Sequence, residues 1–378
     1  MAAVSVFRVN SSSARRAFIS YVYRLYQSDQ FWIPPLRLDA ARVLNPKKNA
    51  FFEHGQIELF LAKDKSGLIV GRIAAIVNGM HLKKYDDGVG FFGFFECEDD
   101  SNVAQLLFET ASDWLRKQGL RAMRGPVNPS LNDTAGLLVD GFERRPAILM
   151  PYHKPYYERL LLEVGFERVM TMWSYYAHPR LINEERLNRG AKIVLGRNPN
   201  FTIRIIDMDD WENEVRIMLD IFNDAWSENW GHVPMTKREV QQLADEMRMI
   251  VIPELFNFVE DDGEPIGFSA SLPDLNYIFS TIRNGRLFPT GGLKLLLGMK
   301  LKLVRETRMP LMGVKKSHHG KGVDALIVAD ILKRHRSIGM QGCEMSWVLD
   351  SNNRMKNFLT SMGAVKENEY ALYEKSIQ

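Results

Sequence analysis

The spacing of apolar and polar residues repeats along this chain. Residues 58–71 read ELFLAKDKSGLIVG and residues 254–267 read ELFNFVEDDGEPIG, with five identical positions at an offset of 196 (254 minus 58). In each segment, apolar or alternating runs stand on both sides of a glycine that suits a tight turn. The pattern predicts the same strand–turn–strand hairpin in two places.

A second pair of similar segments closes each repeat. YERLLLEVGF at 157–166 and MKNFLTSMGA at 355–364 lie at an offset of 198 (355 minus 157) and have the spacing of a short amphipathic helix. Each helix is predicted to end at a glycine, Gly165 or Gly363, because glycine adopts the left-handed conformation found at helix ends. Two pairs at nearly one offset predict a duplicated domain; unrelated hairpins with chance identities are the alternative.

The residues between these landmarks predict the same order of elements in both repeats. The first repeat has a buried strand at 90–97, a helix at 103–117 and a strand at 120–126; the second has a strand at 310–314, a helix at 324–336 and a strand at 342–349. The order of hairpin, strand, helix, strand, helix and strand is typical of a mixed α/β sheet flanked by helices.

We therefore expect two domains, over residues 1–190 (the N-half) and residues 191–378 (the C-half). The distance from the helix-ending glycine to the closing glycine is 46 positions in the N-half (165 minus 119) and 24 in the C-half (363 minus 339). This difference predicts an insert at about 127–151 in the N-half. The C-half has its own insertion before the central strand, around 274–307.

Composition and charge exclude several classes of protein. The 378 residues are 46% hydrophobic and carry a formal net charge of +3, which excludes a disordered chain and a generally basic nucleic-acid coat. Two cysteines, Cys97 and Cys343, are too few for a disulfide framework or a cysteine-based zinc site, and no metal-ligand spacing occurs. Without a signal-peptide core or a spanning segment, we expect a cytoplasmic protein that binds neither metal nor nucleic acid.

The best-defined candidate binding site is a glycine-containing loop between a predicted strand and a predicted helix. Backbone N–H groups at glycines, the positive end of the helix dipole and a lysine together suit a pyrophosphate. A structural turn is the alternative. The N-half has Glu98-Asp99-Asp100-Ser101 at the equivalent helix start, which repels phosphate, so we expect a phosphorylated cofactor in the C-half. The loop residues are His319, Gly320, Lys321, Gly322, Val323 and Asp324.

The strand, glycine loop, helix, strand and closing helix resemble the GNAT superfamily of acyl-CoA N-acyltransferases. His319 replaces the usual Arg or Gln of the loop, Asp324 replaces its last Gly or Ala, and Asn352 of the closing motif is kept. The tyrosine that often acts as general acid is Leu359 here, and Leu161 in the N-half. Because of this difference from the family pattern, either another group protonates the leaving thiolate or the thiolate leaves without a proton.

Longer segments make the chain similar to a tandem-GNAT branch of bacterial proteins that includes bacterial ceramide synthases. The resemblance implies two tandem GNAT-like domains, each a mostly antiparallel twisted sheet flanked by helices. It also implies an N-acyltransferase that moves an acyl group, long-chain in this branch, from acyl-CoA or an acyl carrier protein to a primary amine such as a sphingoid base. The segments include NPKKNAFFEHGQIELFLA (45–62), RGPVNPSLNDTAGLLVDGF (124–142), MPYHKPYYERLLLEVGF (150–166) and GKGVDAL (320–326).

N-acyl transfer requires an anchored donor, a polarised carbonyl and a base for the amine proton. The GNAT resemblance assigns the polarising backbone N–H to the central strand, where the candidates are Met312, Gly313 and Val314. Three residues are candidates for the base: Glu96 in an aromatic run, where apolar neighbours raise the pKa of a carboxylate; Glu344 on the strand after the loop helix; and His232. The alternatives are that Glu96 is an exposed acid at the end of a strand, that Glu344 faces solvent, and that His232 is packed in a loop.

The N-half insert and a segment rich in aromatic residues are candidates for the acceptor site. Prolines stiffen the insert, so its amide and hydroxyl groups can be held ready for an amine or a hydroxyl-bearing headgroup. Capping of turns by the same side chains is the alternative. The candidate residues are Asn128, Ser130, Asn132, Tyr152, His153, Trp226 and Trp230.

A leucine-rich segment, GGLKLLLGMKLKLVR at 291–305, predicts a helix with Lys294, Lys302 and Arg305 on one side. Such a helix suits a membrane surface or the edge of a lipid groove, so we expect peripheral contact with the inner membrane. A core helix with a narrow wet face is the alternative.

Three functions are compatible with these observations. The first is a long-chain N-acyltransferase acting on an amino-lipid, and the second is a short-chain GNAT acetyltransferase acting on a small amine. The third is a non-catalytic acyl-CoA-binding protein, favoured by the missing tyrosine. Transfer that depends on tRNA is disfavoured because no basic stripe with interleaved aromatics occurs. We expect a monomer, since two GNAT-like domains in one chain can pack against each other.

Overall fold

A computed structural model describes residues 4–378 of the chain. Its first strands and helices are β1 (Ser5–Arg8), α1 (Ser12–Leu25), α2 (Arg37–Val43), β2 (Gly55–Lys63), β3 (Ile69–Asn78), α3 (Gly79–Tyr85), β4 (Val89–Cys97), α4 (Ser101–Lys117), β5 (Ala122–Gly125), β6 (Val127–Asn128), β7 (Thr134–Ala135), β8 (Leu137–Asp140), α5 (Tyr157–Glu163) and β9 (Glu167–Ala177). Those that follow are α6 (Glu184–Arg197), β10 (Phe201–Ile205), α7 (Trp211–Trp226), α8 (Lys237–Arg248), β11 (Phe256–Asp261), β12 (Glu264–Pro273), α9 (Asn276–Phe279), α10 (Gly291–Lys300), β13 (Glu306–Val314), α11 (Val323–Ser337), β14 (Gly342–Leu349), α12 (Asn353–Met362) and β15 (Val365–Ser376). Short 3-10 helices cover Ala50–Glu53, Pro253–Leu255 and Lys316–His318.

The predicted repeat of elements is confirmed. The series β2, β3, β4, α4, β5, α5, β9 recurs as β11, β12, β13, α11, β14, α12, β15. Gly165 and Gly363 have φ angles of 86° and 98°, the left-handed conformation expected where α5 and α12 end. The mixed α/β class is also confirmed. The division of domains at residue 190 stays a prediction, and residue 190 lies inside α6.

The two halves share one sheet. Its thirteen strands follow the order β1-β2-β3-β4-β5-β15-β9-β14-β13-β12-β11-β10, with β8 paired to β15. The closing strand of each half is exchanged: β15 pairs with β5 (Tyr373 opposite Gly125), and β9 pairs with β14 (Tyr176 opposite Glu344). The exchange makes the centre of the sheet a joint product of both halves.

Helices cover the sheet because their apolar residues recur at helical spacing. In α4, Val103, Leu107, Ala111 and Leu115 are buried at intervals of four, which is the spacing of one helix face. In α11, Leu326, Ile327 and Ile331 are buried in the same way against the C-half strands. Both free cysteines, Cys97 and Cys343, lie buried in this core.

The two insertions take different forms. The N-half insert contains the small β6–β7 hairpin and β8. In the C-half insertion, the prediction of one helix over 291–305 was wrong, because α10 ends at Lys300 and Lys302 adopts a left-handed φ of 51°. Lys302 and Arg305 therefore do not share a helix face with Lys294. Within residues 4–378, every helix is too short or too polar to cross a membrane.

Candidate active site

The strands β13 and β14 separate partway along their length. They pair in parallel from Glu306 opposite Gly342 to Met309 opposite Met345, and the pairing stops there. Beyond this point β13 pairs only with β12, up to Val314, and β14 pairs only with β9. The divergence opens a V-shaped cleft in the middle of the sheet, with backbone on both walls.

The cleft has a volume of about 470 Å³ and a mixed lining. Aromatic and apolar side chains form most of its walls, and polar groups gather near the glycine loop and the start of α12. Its lining includes Trp226, Trp230, Met312, Gly313, Val314, His319, Asp324, Ser346, Trp347, Asn352, Arg354, Phe358 and Leu359.

The pairing register shows which backbone groups of β13 face the cleft. Lys315 N–H donates to Ile266 O at 2.8 Å, and Gly313 lies opposite Phe268 in the same register. Because hydrogen-bonded positions alternate in antiparallel pairs, Gly313 bonds to β12, whereas Met312 and Val314 direct their polar atoms into the cleft. In agreement, Met312 O accepts from Trp226 Nε1 at 3.3 Å and Val314 O accepts from His319 Nε2 at 3.0 Å.

The glycine loop presents backbone donors at the cleft. Gly320 and Gly322 have φ angles of 81° and 83°, and Gly322 begins α11 without a side-chain cap. Residues 4–378 supply no hydrogen-bond acceptor to the N–H groups of Gly320, Gly322, Val323 and Asp324. Uncapped N–H groups at the start of a fifteen-residue helix form a site for an anion.

The carboxylate of Asp324 is neutralised within the loop. Its Oδ1 accepts from Ala325 N–H at 3.0 Å, and its Oδ2 lies 3.2 Å from Arg354 Nη2. Arg354 is on α12 and also lines the cleft. Asn352 caps α12, its Oδ1 accepting from Met355 N–H at 3.0 Å, and Lys321 is exposed beside the loop. The Ala325 N–H and the Arg354 guanidinium therefore offset the negative charge that Asp324 adds to the loop.

The equivalent region of the N-half is closed. A side chain at Gly93 would lie 1.8 Å from Val127 O, so β4 and the insert touch where the C-half strands separate. The Phe94 N–H donates to Asn128 Oδ1 at 2.6 Å, and the Cys97 N–H donates to the Tyr157 hydroxyl at 3.2 Å. In the N-half, the N–H groups of Phe94 and Cys97 on β4 are therefore already hydrogen-bonded, unlike the N–H groups of Met312 and Val314 on β13.

The helix start of the N-half is closed as well. The carboxylate of Asp100 accepts from Asn102 N–H at 2.8 Å and from Val103 N–H at 3.3 Å. Asp99 forms an ion pair with Arg159. The halves share one fold, yet of the two equivalent strand pairs and helix starts within residues 4–378, those of the C-half are open and those of the N-half are closed.

Glu344 is buried at the base of the cleft beside a buried arginine. Its carboxylate accepts from the Ser346 hydroxyl, and its Oε1 lies 4.0 Å from Arg308 Nε. Burial raises the pKa of Glu344, and the Arg308 charge opposes that shift. Arg308 also donates to Ser346 Oγ at 3.0 Å and to Ile148 O at 3.0 Å. Ser346 thus connects the cleft to a buried carboxylate, as a proton path requires.

The other two candidate bases lie apart from this group. Glu96 is buried in the N-half, where it accepts from Tyr26 Oη at 2.8 Å and Tyr157 Oη at 2.7 Å, and burial raises its pKa. The carbonyl of His232 accepts from Lys84 Nζ at 2.8 Å, so its loop is held against the N-half. Burial and the Lys84 charge lower the pKa of the His232 ring.

The acceptor candidates divide into two groups. Trp226 and Trp230 line the cleft. The others brace the insert: Asn132 Nδ2 donates to Val233 O at 2.9 Å, buried Ser130 Oγ accepts from Asn132 N–H at 2.9 Å, and Tyr152 Oη donates to Phe142 O at 3.0 Å.

Two further groups of the insert region have perturbed pKa values. His153 is buried, its Nδ1 accepts from Leu138 N–H at 3.0 Å, and burial lowers its pKa to about 3. Asp133 keeps contact with solvent, but loss of hydration among the surrounding residues and the Glu239 charge raise its pKa to about 7. The lining of the cleft does not include Asp133, so we do not assign it a part in the reaction.

Several cleft residues were absent from the sequence prediction. The Trp347 side chain lines the cleft, and its Nε1 is buried without an acceptor in residues 4–378. Arg308 and Arg354 were missed because their partners, Glu344 and Asp324, are distant in sequence. A lone arginine in a strand or helix has no local pattern that marks it as buried or paired.

Comparisons with known proteins agree with this geometry. The chain is 35% identical to the bacterial ceramide synthase of Caulobacter vibrioides, over 99% of this chain and 98% of that protein. It is 32% identical to protein YghO of Escherichia coli, over 96% and 93%. No protein-family model matches the chain.

The solved structures are similar in fold. A tandem GNAT protein from the clavulanic acid biosynthesis pathway has a TM-score of 0.58 at 9% identity, covering 100% of this chain and 99% of that one. A GCN5-related N-acetyltransferase from Sphaerobacter thermophilus has a TM-score of 0.55 at 11% identity, covering 99% and 96%.

The chain has the fold of tandem GNAT proteins, with one copy of the repeated elements in each half. The chain belongs to the family of the Caulobacter bacterial ceramide synthase. It is an N-acyltransferase. Among residues 4–378 no group of three or more His, Cys, Asp or Glu side chains is arranged to hold a metal ion.

Proposed function

We propose that this enzyme transfers an acyl group from a thioester donor in the C-half cleft to a primary amine. The observation that carries the proposal is the contrast between the halves. The C-half has a separated strand pair and an uncapped helix start, whereas Asn128, Tyr157 and Asp100 occupy the matching groups of the N-half. The proposed donor site therefore occurs once within residues 4–378.

The residues present fit a phosphopantetheine thioester. The N–H groups of Gly320, Gly322, Val323 and Asp324 would hold a pyrophosphate or phosphate, with Lys321 adding positive charge. The backbone of Met312 and Val314 would bind the amide-containing arm and polarise the carbonyl. Acyl-CoA and an acyl carrier protein both carry this arm, and acyl-CoA is the donor that we propose first because the loop can hold its pyrophosphate.

The transfer is a simple exchange of bonds. The amine nitrogen bonds to the thioester carbon, the carbon–sulfur bond breaks with its electron pair on sulfur, and the nitrogen loses one proton. We assign that proton to Glu344 through the Ser346 hydroxyl, because these two groups are already hydrogen-bonded at the cleft. Leu359, at the position of the GNAT tyrosine, supplies no acid, so the thiolate takes a proton from another group or leaves without one.

For the acceptor we propose a sphingoid base, and for the acyl group a long chain. The support is the 35% identity to the bacterial ceramide synthase of Caulobacter vibrioides, over 99% of this chain. The apolar walls of the cleft, including Phe358 and Leu359, are compatible with an aliphatic chain. We also propose that the enzyme meets this acceptor at the surface of the inner membrane.

A mass-spectrometric assay tests the proposal. The protein is mixed with sphinganine and a small polyamine, with acetyl-CoA and palmitoyl-CoA in separate reactions. The site variant is Gly322→Glu, which places a carboxylate at the anion site. Two controls should retain product. Gly322→Ala makes the same contact with Val194 without the carboxylate, and Gly119→Glu places a carboxylate at a glycine of the N-half that has a φ of 81° and open space around its Cβ position.

We expect N-palmitoyl-sphinganine from the wild type and from both controls, and none from Gly322→Glu. Preference for acetyl-CoA and the polyamine would instead support a short-chain acetyltransferase. Binding of acyl-CoA with no product from any pair would contradict the proposed reaction for these substrates. The loss of the tyrosine at Leu359 would then indicate a binding protein, and a repeat with palmitoyl carrier protein would separate that outcome from a different donor.

A further inference from the structure

The helix α10 turns its glycines towards the protein and most of its large apolar residues towards solvent. Gly291 and Gly298 are buried on the same face, and a side chain at Gly298 would lie 2.7 Å from Ile278 Cδ1. Leu296, on the opposite side, is 68% exposed, and Leu293 is also exposed. A surface helix of a soluble domain normally shows the reverse arrangement.

Exposed apolar residues continue on both sides of this helix. Phe288 precedes it and is 80% exposed, and Leu301 follows it and is 65% exposed. Leu303 and Met299 are exposed as well. We call these residues, together with Leu293, Leu296 and Leu297, the leucine surface. An apolar patch of this extent on a folded protein marks a site of interaction.

The segment that carries the leucine surface is basic. Residues 275–305 contain six basic side chains and no Asp or Glu. Lys300 and Lys302 lie exposed among the leucines, and neither forms an ion pair within residues 4–378. Lys294 Nζ donates to Thr281 O at 2.8 Å, which holds one cation at the edge of the patch. Exposed aliphatic residues mixed with unpaired lysines match the headgroups and upper chains of an anionic bilayer.

The leucine surface is joined directly to the catalytic strand. The C-half insertion leaves the sheet at Pro273 and returns opposite it at Thr307, and Asp274 N–H donates to Glu306 O at 2.8 Å. The cleft begins a few residues further along β13, at Met309. At ~3.3 Å per residue, the two residues from Thr307 to Met309 place the base of the insertion about 7 Å from the cleft.

We propose that the leucine surface docks the enzyme on an anionic lipid bilayer. The contact is peripheral, because the ten residues of α10 extend only ~15 Å, half of a bilayer core. A second copy of the chain is a poorer occupant, since it would bring the six basic side chains of residues 275–305 against the same six of the other copy. The docking is independent of the proposed reaction, and it would bring the cleft to a membrane-held amino-lipid.

Vesicle co-sedimentation without substrates tests the docking. Full-length protein is mixed with vesicles of phosphatidylcholine alone, or of phosphatidylcholine with phosphatidylglycerol. One variant carries Leu296→Glu and Leu301→Glu, and a second carries Lys300→Gln and Lys302→Gln. The control carries Leu68→Glu and Leu162→Glu, two exposed leucines of the N-half. Thermal unfolding and gel filtration check that each variant folds and remains unassociated.

We expect the wild type and the N-half control to bind the anionic vesicles, and the leucine variant to lose at least tenfold in affinity. The lysine variant should lose about tenfold on anionic vesicles only, and high salt should have the same effect. Absence of wild-type binding, or equal binding by the leucine variant, would overturn the proposal. So would self-association through this surface. Because no acyl transfer is measured, the docking can fail while the proposed reaction stands, and the reverse.

Discussion

The buried pair of Arg308 and Glu344 allows a quantitative prediction for the variant Arg308→Met. Arg308 is buried, lies 4.0 Å from Glu344 and donates to Ile148 O at 3.0 Å. Methionine retains much of the side-chain volume and removes both the charge and the hydrogen-bond donors. In the variant, the Glu344 carboxylate stays in the core, and the Ser346 hydroxyl is the hydrogen-bond donor that remains to it within residues 4–378.

The expected loss of stability follows from the separation of the charges. Opposite charges ~4 Å apart attract by roughly 4 kcal/mol at an effective dielectric constant of ~20. Removal of one partner of a buried pair typically destabilises a protein by about 3–5 kcal/mol. We therefore expect Arg308→Met to lower the free energy of unfolding by ~3–5 kcal/mol at pH 8. The double variant Arg308→Met with Glu344→Gln should lose roughly 2 kcal/mol less, since no buried charge remains.

The pH dependence of the effect has a definite sign. Burial raises the pKa of Glu344, and Arg308 is the charge that lowers it, so the variant raises this pKa further. A carboxyl group with a raised pKa in the folded state favours folding at low pH, and that contribution is lost as the pH rises through the folded-state value. The destabilisation by Arg308→Met should therefore be larger at pH 8 than at pH 5.

Urea unfolding followed by tryptophan fluorescence, at pH 5 and pH 8, measures these effects. The control is Arg216→Met, which breaks an exposed pair with Asp220 at 3.6 Å and should change stability by less than about 1 kcal/mol. A loss below about 1 kcal/mol for Arg308→Met would refute the reasoning. Additive losses in the double variant, or a larger loss at pH 5, would refute it as well.

Three further predictions concern the insert and the loop. Asn128→Ala removes the acceptor of the Phe94 N–H, which now donates to Asn128 Oδ1 at 2.6 Å, so urea unfolding should show a free energy of unfolding lower by about 1–3 kcal/mol. Calorimetry should show an unchanged affinity for acyl-CoA, and a changed affinity would contradict the closed N-half. Gly322→Ala and Gly320→Ala share a left-handed φ, but only the former creates a clash, with Val194 at 2.5 Å, so thermal unfolding should show the larger loss for Gly322→Ala; equal losses would argue against that contact. Asp133→Asn should be more stable than the wild type at pH 8, and the difference should be smaller at pH 5. The pKa of Asp133 is raised to about 7 in the folded state, so ionisation above that pH destabilises the folded wild type. A difference in urea midpoint that does not change with pH would exclude this titration.

Local patterns in the sequence predicted the elements of the fold because hairpins and helices are set by nearby residues. The glycine turns, the alternating runs and the helical spacing of α4 and α11 each depend on a few consecutive positions. The glycine loop was predicted in the same way, from its place between a strand and a helix. The wrong prediction of a helix to residue 305 has the same origin. The leucines and lysines between 293 and 303 all suit a helix, whereas the turn at Lys302 depends on the return of the chain to β13.

The tertiary structure alone decided which groups meet. The exchange of β9 and β15, the closure of the N-half by Asn128 and the pairing of Arg308 with Glu344 join residues that are 34 or more positions apart. Periodicity tells which face of an element is buried, and it does not tell which other element covers that face. The sequence by itself determined a duplicated α/β chain with one anion-binding loop. The long-range pairing of strands determined that one half is open for chemistry, the other is closed, and a row of leucines remains facing solvent.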